Sequence, residues 1–224
     1  MRKSDDFEEL ICVERSLVFP KDKTTLLYTD IEDVMEKLGL YPNNKLLNQK
    51  GICLERRKVA ETRNDIIQMV VAAVIRCGDK FVLLKSKSDC MKGKVTLLQG
   101  HVSYSPFYPD TKLIEILKKE IKREFNEEIY IKAPELILAT ERLLFDLKNV
   151  KFIMLNNHDP ESLDYKHLGF VFEINIDESL KDLITYENIE SSEQDKHDVL
   201  IWTINDELKN PCSWSKEVLE YYKK

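Results

Sequence analysis

Glu124, Glu127 and Glu128 stand three and four residues apart. On a helix of 3.6 residues per turn that spacing projects all three carboxylates from one face within a single turn. Like charges at this spacing destabilise a helix by roughly 0.2–0.5 kcal/mol per pair, and the C-terminal end of the helix dipole adds to the penalty. A divalent cation reverses it, because Mg2+ takes carboxylate and water oxygens and commonly shares its shell with substrate phosphates. The other reading is a solvated acidic face balanced by Lys118, Lys119 and Lys122 on the same segment, since charge runs are common on exposed helices. Spacing within the helix leaves both open.

The segment that carries them, Leu113 to Glu128, has helical grammar, with Ile114, Leu117, Ile121 and Phe125 recurring every three to four residues. Upstream, Ile66 to Ile75, a Gly78-Asp79 turn and Lys80 to Leu84 predict a hairpin. Val95 to Leu98 predicts a third strand that runs into Gln99-Gly100-His101-Val102, and a loop rich in Pro and aromatics follows, with Tyr104, Pro106, Phe107, Tyr108 and Pro109. Downstream, strands are predicted over Leu136 to Phe145, Phe152 to Leu155, Leu168 to Ile176 and Val199 to Ile204, and a last helix over Ser213 to Tyr222. Strands interleaved with a few helices predict an α/β or α+β sandwich.

Residues 1–64 read differently, as an N-terminal accessory region beside a main domain over 65–224. The region holds two short apolar runs, Leu10 to Val13 and Gly51 to Leu54, and a turn near Pro20. Between them an amphipathic helix is predicted from Thr29 to Leu40, with Asp30 to cap it and Gly39 and Pro42 to end it. Such an arm could serve a homodimer or a partner.

A formal charge of −6 over 224 residues supplies no global field for a polyanion. Any phosphate-bearing ligand must then be held locally, by metal ions or a few placed cations, and nothing points to DNA binding. Five widely spaced cysteines with no Cys-x-x-Cys pair predict reduced thiols. The N-terminal residues lack the apolar stretch of a signal peptide and no apolar run reaches membrane length, so a cytoplasmic protein with no membrane contact is expected.

The run Gly100, Glu115, Arg123-Glu124-Phe125-Asn126-Glu127-Glu128-Ile129-Tyr130-Ile131 resembles the Nudix box, whose pattern is Gly-x5-Glu-x7-Arg-Glu-U-x-Glu-Glu-x-Gly-U with U apolar. From Glu115 to Glu128 every specified position matches, the seven-residue gap from Glu115 to Arg123 included. Two departures stand out. Fourteen residues separate Gly100 from Glu115, nine more than the pattern, and Tyr130 occupies the final glycine position, where a left-handed turn out of the helix is expected.

The resemblance implies a Nudix-like α/β/α sandwich with a mixed sheet, over roughly residues 66 to 222. It also implies a Mg2+-dependent hydrolase, with Mn2+ as the alternative ion, that cleaves the pyrophosphate linkage of a nucleotide or related diphosphate. Glu124, Glu127 and Glu128 would ligate metal together with the Gly100 carbonyl, and Arg123 would orient Glu124. Glu124 and Glu127 would be central to catalysis, and Glu115, on the other side of the helix, is assigned to structure. Family members often recruit a further acid from a loop after the box. Glu187, Glu190 and Glu193 are the candidates, with Glu193 or Glu190 favoured as general base and a solvated loop as the alternative for each. Lys85, Lys87, Lys92 and Lys94 could meet phosphates or merely solubilise strand ends. Tyr104, Phe107 and Tyr108 could stack on a base or plug the loop. Glu120 could be an outer ligand, although an exposed partner for a lysine is the plainer reading, and His101 reads as structural. The pairs His158-Asp159 and His197-Asp198 are dipeptides expected by chance. A catalytically silent Nudix-fold module that senses a nucleotide is the competing function.

Overall fold

The structure, a computed structural model, describes residues 8–18, 26–28, 44–46, 50–88, 91–147, 150–155 and 163–223. In chain order its elements begin with β1 (Glu9–Glu14), α1 (Arg15–Val18), β2 (Leu26–Tyr28), β3 (Ile52–Arg56) and α2 (Arg57–Ala60). The hairpin follows as β4 (Ile66–Cys77) and β5 (Lys80–Ser86), then β6 (Val95–Thr96), β7 (Leu98–His101) and the box helix α3 (Leu113–Glu128). The remainder comprises β8 (Ile129–Ile131), α4 (Pro134–Phe145), β9 (Phe152–Leu155), β10 (His167–Ile176), β11 (Ile189–Ser191), β12 (His197–Thr203) and α5 (Ser213–Tyr222). The architecture is α+β, with a large sheet, a second sheet of two strands, and helices. Among the described residues no helix is long and apolar enough to cross a membrane.

Two compact units result, one of Met1–Val71, Gly100–Glu120 and Asn149–Val171, the other of Ala72–Gln99, Ile121–Lys148 and Phe172–Lys224. In the first, β1 lies antiparallel between β3 and β4, so that Cys12 is opposite both Cys53 and Gln68. Leu10, Ile11, Cys12 and Val13 have no solvent exposure, and burying each large apolar side chain contributes about 1.5–3 kcal/mol. Strand β9 pairs with β10 on one side and β2 on the other. The loop before α3 is also in this unit. Its Tyr108 is buried and donates its hydroxyl to Glu120 Oε1 at 2.7 Å, while Asp110 pairs with Lys45 at 2.8 Å.

In the second unit β5 pairs with β4, β6 and β12, all antiparallel. Gly78 makes the β4–β5 turn at φ +58°, a conformation that costs glycine nothing. Phe81 of β5 meets the rings of Trp202 and Tyr222 at 5.4 and 5.5 Å. Helix α5 buries Trp214, Val218 and Leu219 at helical spacing, and Ser215 Oγ accepts the Leu97 N–H at 3.0 Å.

Several expectations change. Leu136 to Phe145, read as a strand, is helical in α4. The buried residues Leu136, Thr140 and Leu144 recur every four positions, Pro134 begins the helix where its missing N–H does no harm, and Leu138 and Phe145 face outward. The expected strand over Val95 to Leu98 is split into β6 and β7. Strands β8 and β11, three residues each, were not foreseen. Glu120 is not an exposed partner for lysine, being only 4% exposed and held by Tyr108. The predicted helix from Thr29 to Leu40, the turn near Pro20, the His158-Asp159 pair and Cys90 lie outside the described residues. The other four cysteines are free thiols.

Candidate functional site

Helix α3 buries Leu113, Ile116, Leu117, Ile121 and Phe125. The same winding brings Glu120, Glu124 and Glu128, each one turn from the next, into buried positions, with Glu124 and Glu128 at 7% and 8% exposure. Glu127 falls outside that line, its side chain 55% exposed, and Glu115 is exposed as well. Arg123 bridges the two kinds of position. One guanidinium nitrogen bonds Glu124 and the other reaches Glu127 at 2.9 Å.

Burial is the main influence on these carboxyls. It pushes Glu124 up to about 7 from an ordinary 4.5, against the attraction of Arg123. Glu128 also rises to about 7, through burial first and the negative charge of Glu193 second, with Lys196 opposing. Carboxyls raised this far by burial and by neighbouring negative charge cluster at functional sites, and a cation placed beside them would favour their charged form.

The end of α3 is organised by the short sheet. At Glu128 the chain passes straight into β8 without a left-handed residue, and Asn210 is the one described non-glycine with positive φ. Ile129 and Ile131 turn inward and Tyr130 outward, 53% exposed. Pairing with β11 thus supersedes the glycine turn that the Nudix pattern leads one to expect. Ser191 of β11 is in register with Ile129, and the next residue, Ser192, donates its N–H to the Glu128 carbonyl at 3.0 Å. A tight turn follows, in which the Glu193 carbonyl accepts from the N–H groups of Lys196 and His197 at 2.8 and 3.0 Å.

This turn delivers Glu193 and His197 to Glu128, so that one ligand atom from each lies within 4.8 Å of the others. His197 Nε2 is 3.4 Å from Glu128 Oε2. That oxygen is buried and takes no hydrogen bond among the described residues. Two carboxylates and an imidazole converging on an unsatisfied buried oxygen can hold a cation. Lys196 pairs with Glu193 at 2.8 Å and provides part of the balancing charge.

Of the other acids of this loop, Glu190 pairs with Lys132 at 2.7 Å, and Glu187 is exposed. Asp198 pairs with Lys87 at 2.6 Å, and Lys87 also donates to the Gln194 carbonyl at 2.7 Å. Lys85 is exposed on β5, opposite Asp198 in the ladder. A cavity of about 310 Å3 beside the cluster is lined by Tyr186, Gln194, His197 and Asp198 among others. Gly100, Tyr104 and Phe107 belong to the first unit. Gly100 is half-buried in β7, Tyr104 is half-buried, and Phe107 is 84% exposed. His101 is bonded through its ring to His167, Nε2 to Nε2, at 3.3 Å.

Sequence reasoning passed over His197, reading it as part of a chance dipeptide. The signal available was its position four residues after Glu193 at the start of a strand, but only the turn geometry makes that spacing converge.

No protein-family model matches the chain, and no curated protein matches it. Solved structures do. Tm1382, a candidate Nudix hydrolase, is 17% identical with a TM-score of 0.60, over 96% of this chain and 98% of that one. A MutT Nudix hydrolase from Burkholderia pseudomallei is 15% identical, TM-score 0.45, over 68% of this chain and 95% of its own. The Nudix domain of Shewanella oneidensis NrtR, complexed with ADP ribose, is 14% identical, TM-score 0.43, over 70% and 86%. The likeness to Tm1382 is one of fold, and the fold of this chain is that of the Nudix hydrolases.

Proposed function

We propose that the chain is a Mg2+-dependent hydrolase that cleaves the pyrophosphate linkage of a nucleoside diphosphate derivative, Mn2+ being the alternative ion. The observation that carries this reading is the buried Glu128 oxygen without a hydrogen bond, beside Glu193 and His197, at the end of a helix with the Nudix spacing. A bound ion is one of the groups that can satisfy such an oxygen, and the adjoining carboxylate and imidazole favour it here. Bound divalent ions supply charge neutralisation at the diphosphate and a water of lowered pKa.

The side chains divide the remaining work. Glu124, Glu127, Glu128 and the Gly100 carbonyl are the proposed metal ligands. Arg123 keeps the Glu124 carboxylate oriented through the bond already in place. Glu193 is the proposed acceptor of the water proton, its carboxylate held by Lys196. Lys85 and Lys87 are proposed to meet phosphate oxygens, Lys87 by exchanging Asp198 for the ligand. Tyr104 and Phe107 offer ring faces for a base.

A panel of nucleoside triphosphates, sugar nucleotides, dinucleotides and capped RNA, with product analysis in Mg2+ and in Mn2+, tests the proposal. Release of a nucleoside monophosphate or pyrophosphate is expected from at least one member, and its loss in Glu124→Gln with an unchanged melting temperature. Cleavage of nothing in the panel, or full turnover in Glu124→Gln, would sink the assignment.

A further inference from the structure

We infer that Glu128, Glu193 and His197 form a mixed oxygen and nitrogen position that takes a first-row transition ion such as Mn2+ in preference to Mg2+. The inference rests on the proposed function in treating Glu128 as a cation ligand, and it gives one Glu193 carboxylate oxygen to the ion while the other stays available to accept the water proton. It goes further in assigning an imidazole to the same cation and in reading the ion from that imidazole.

Three observations converge. The ligand atoms of the three side chains lie within 4.8 Å of one another, close enough for small side-chain rotations to bring all three onto one ion. Glu128 is 8% exposed, and its Oε2, 3.4 Å from His197 Nε2, takes no hydrogen bond among the described residues. His197 Nδ1 is buried and likewise without a hydrogen bond there. Carboxylate and imidazole are therefore side by side without hydrogen-bonding each other, an arrangement in which both can direct lone pairs at a third group.

The positions are set by backbone, which makes the cluster a built one. Glu128 is the last residue of α3, and its carbonyl is bonded to Ser192. His197 is the first residue of β12, in register with Ser86. The turn between holds Glu193 by its own carbonyl and by the Ser191 hydroxyl, which accepts the Glu193 N–H at 3.2 Å. Lys196 contacts both Glu193 oxygens, at 2.8 and 2.9 Å, and is 55% exposed, so it can swing into solvent as a cation enters.

Donor chemistry then selects the ion. Mg2+ is hard, prefers six oxygen ligands and gives up its water reluctantly. Replacing one oxygen by imidazole moves preference toward the later divalent ions, and two carboxylates keep Mn2+ well served. A box completed by a third glutamate alone would lack this bias.

The measurement uses the full chain, with Mn2+ alone and Mg2+ alone as probes and no substrate present. Pulsed EPR of the Mn2+-loaded protein is expected to show nitrogen hyperfine coupling from one imidazole. Calorimetric titration of His197→Ala is expected to show Mn2+ binding weakened by about tenfold or more, Mg2+ binding altered by less than about twofold, and the coupling gone. Glu193→Gln should weaken both ions. Absence of nitrogen coupling in the wild type, or equal Mn2+ affinity in His197→Ala, would overturn the inference. The EPR result decides even where His197→Ala fails to fold. None of these readouts involves turnover, so a protein that binds Mn2+ through His197 but cleaves nothing would overturn the proposed function and leave this inference standing.

Discussion

Ser191 accepts the Glu193 N–H on its hydroxyl oxygen at 3.2 Å, while its own backbone lies in register with Ile129, the residue that follows the box helix. The two-stranded sheet therefore fixes the start of the loop that presents Glu193. Ser191 is buried, so Ser191→Ala removes a buried acceptor and is expected to cost about 1 kcal/mol of stability. It should also loosen Glu193 and lower Mn2+ affinity by about tenfold, the low end of what a supporting residue near a metal contributes. Urea melts and calorimetric titration check both halves, and an unchanged affinity would mean that the strand pairing alone positions the loop.

Tyr130→Gly would restore the Nudix pattern, yet it is expected to destabilise this protein. Tyr130 is a strand residue paired with Glu190, and no positive φ is needed there. Glycine in a strand interior costs roughly 0.5–1 kcal/mol in backbone freedom, with further loss from the side chain. A higher melting temperature in the variant would contradict this account of the helix exit.

Tyr108→Phe removes the hydroxyl that bonds Glu120, a carboxylate 4% exposed. Leaving a buried acceptor one bond short costs about 1–3 kcal/mol, more when the group is charged. A loss below about 0.5 kcal/mol in chemical denaturation would show that other partners or water replace the hydroxyl.

His167 gives the stability a defined dependence on pH. Burial, with a smaller contribution from Arg57, lowers its pKa from 6.5 to about 4. Between those values the unfolded chain binds a proton that the folded chain does not. Stability therefore falls as pH drops through that window, and this group contributes no further loss below about 4. His167→Gln should flatten the acid side of the stability profile by at most about 1.4 kcal/mol per pH unit. Denaturant midpoints at several pH values between 7 and 4 measure the slope, and parallel profiles for both proteins would rule the histidine out.

What could be read in advance depended on how local the signal was. Helix α3 carries period, length and charge pattern together, and its limits at Leu113 and Glu128 follow from the sequence. The β4–β5 hairpin is equally local, since Gly78 marks a turn that only its own neighbours need. Leu136 to Phe145 misleads because its consecutive apolar residues satisfy a buried strand as well as a helix, and the deciding pattern lies in which of them are buried. Strands β8 and β11 are too short to announce themselves, being defined by each other across the 59 residues between Tyr130 and its partner Glu190, in an intervening chain that is mostly other structure. The same non-locality hid Glu120 and His197. Their burial and company come from Tyr108 and from a turn closed by backbone bonds, neither of which leaves a mark in spacing.

Strand β1 has a consequence for how the protein is made. Its four consecutive fully buried residues, Leu10 to Val13, find their strand partners in Ile52–Arg56 and at Ile66 to Gln68, and further backbone partners at Val102 and Ser103. At translation rates of about 5–20 residues per second, the ribosome needs roughly 3–11 s to supply the second of those strands. For that interval a newly synthesised apolar edge waits without a mate, and the nascent chain at this stage is a natural client for whatever holds exposed strands apart in the cell.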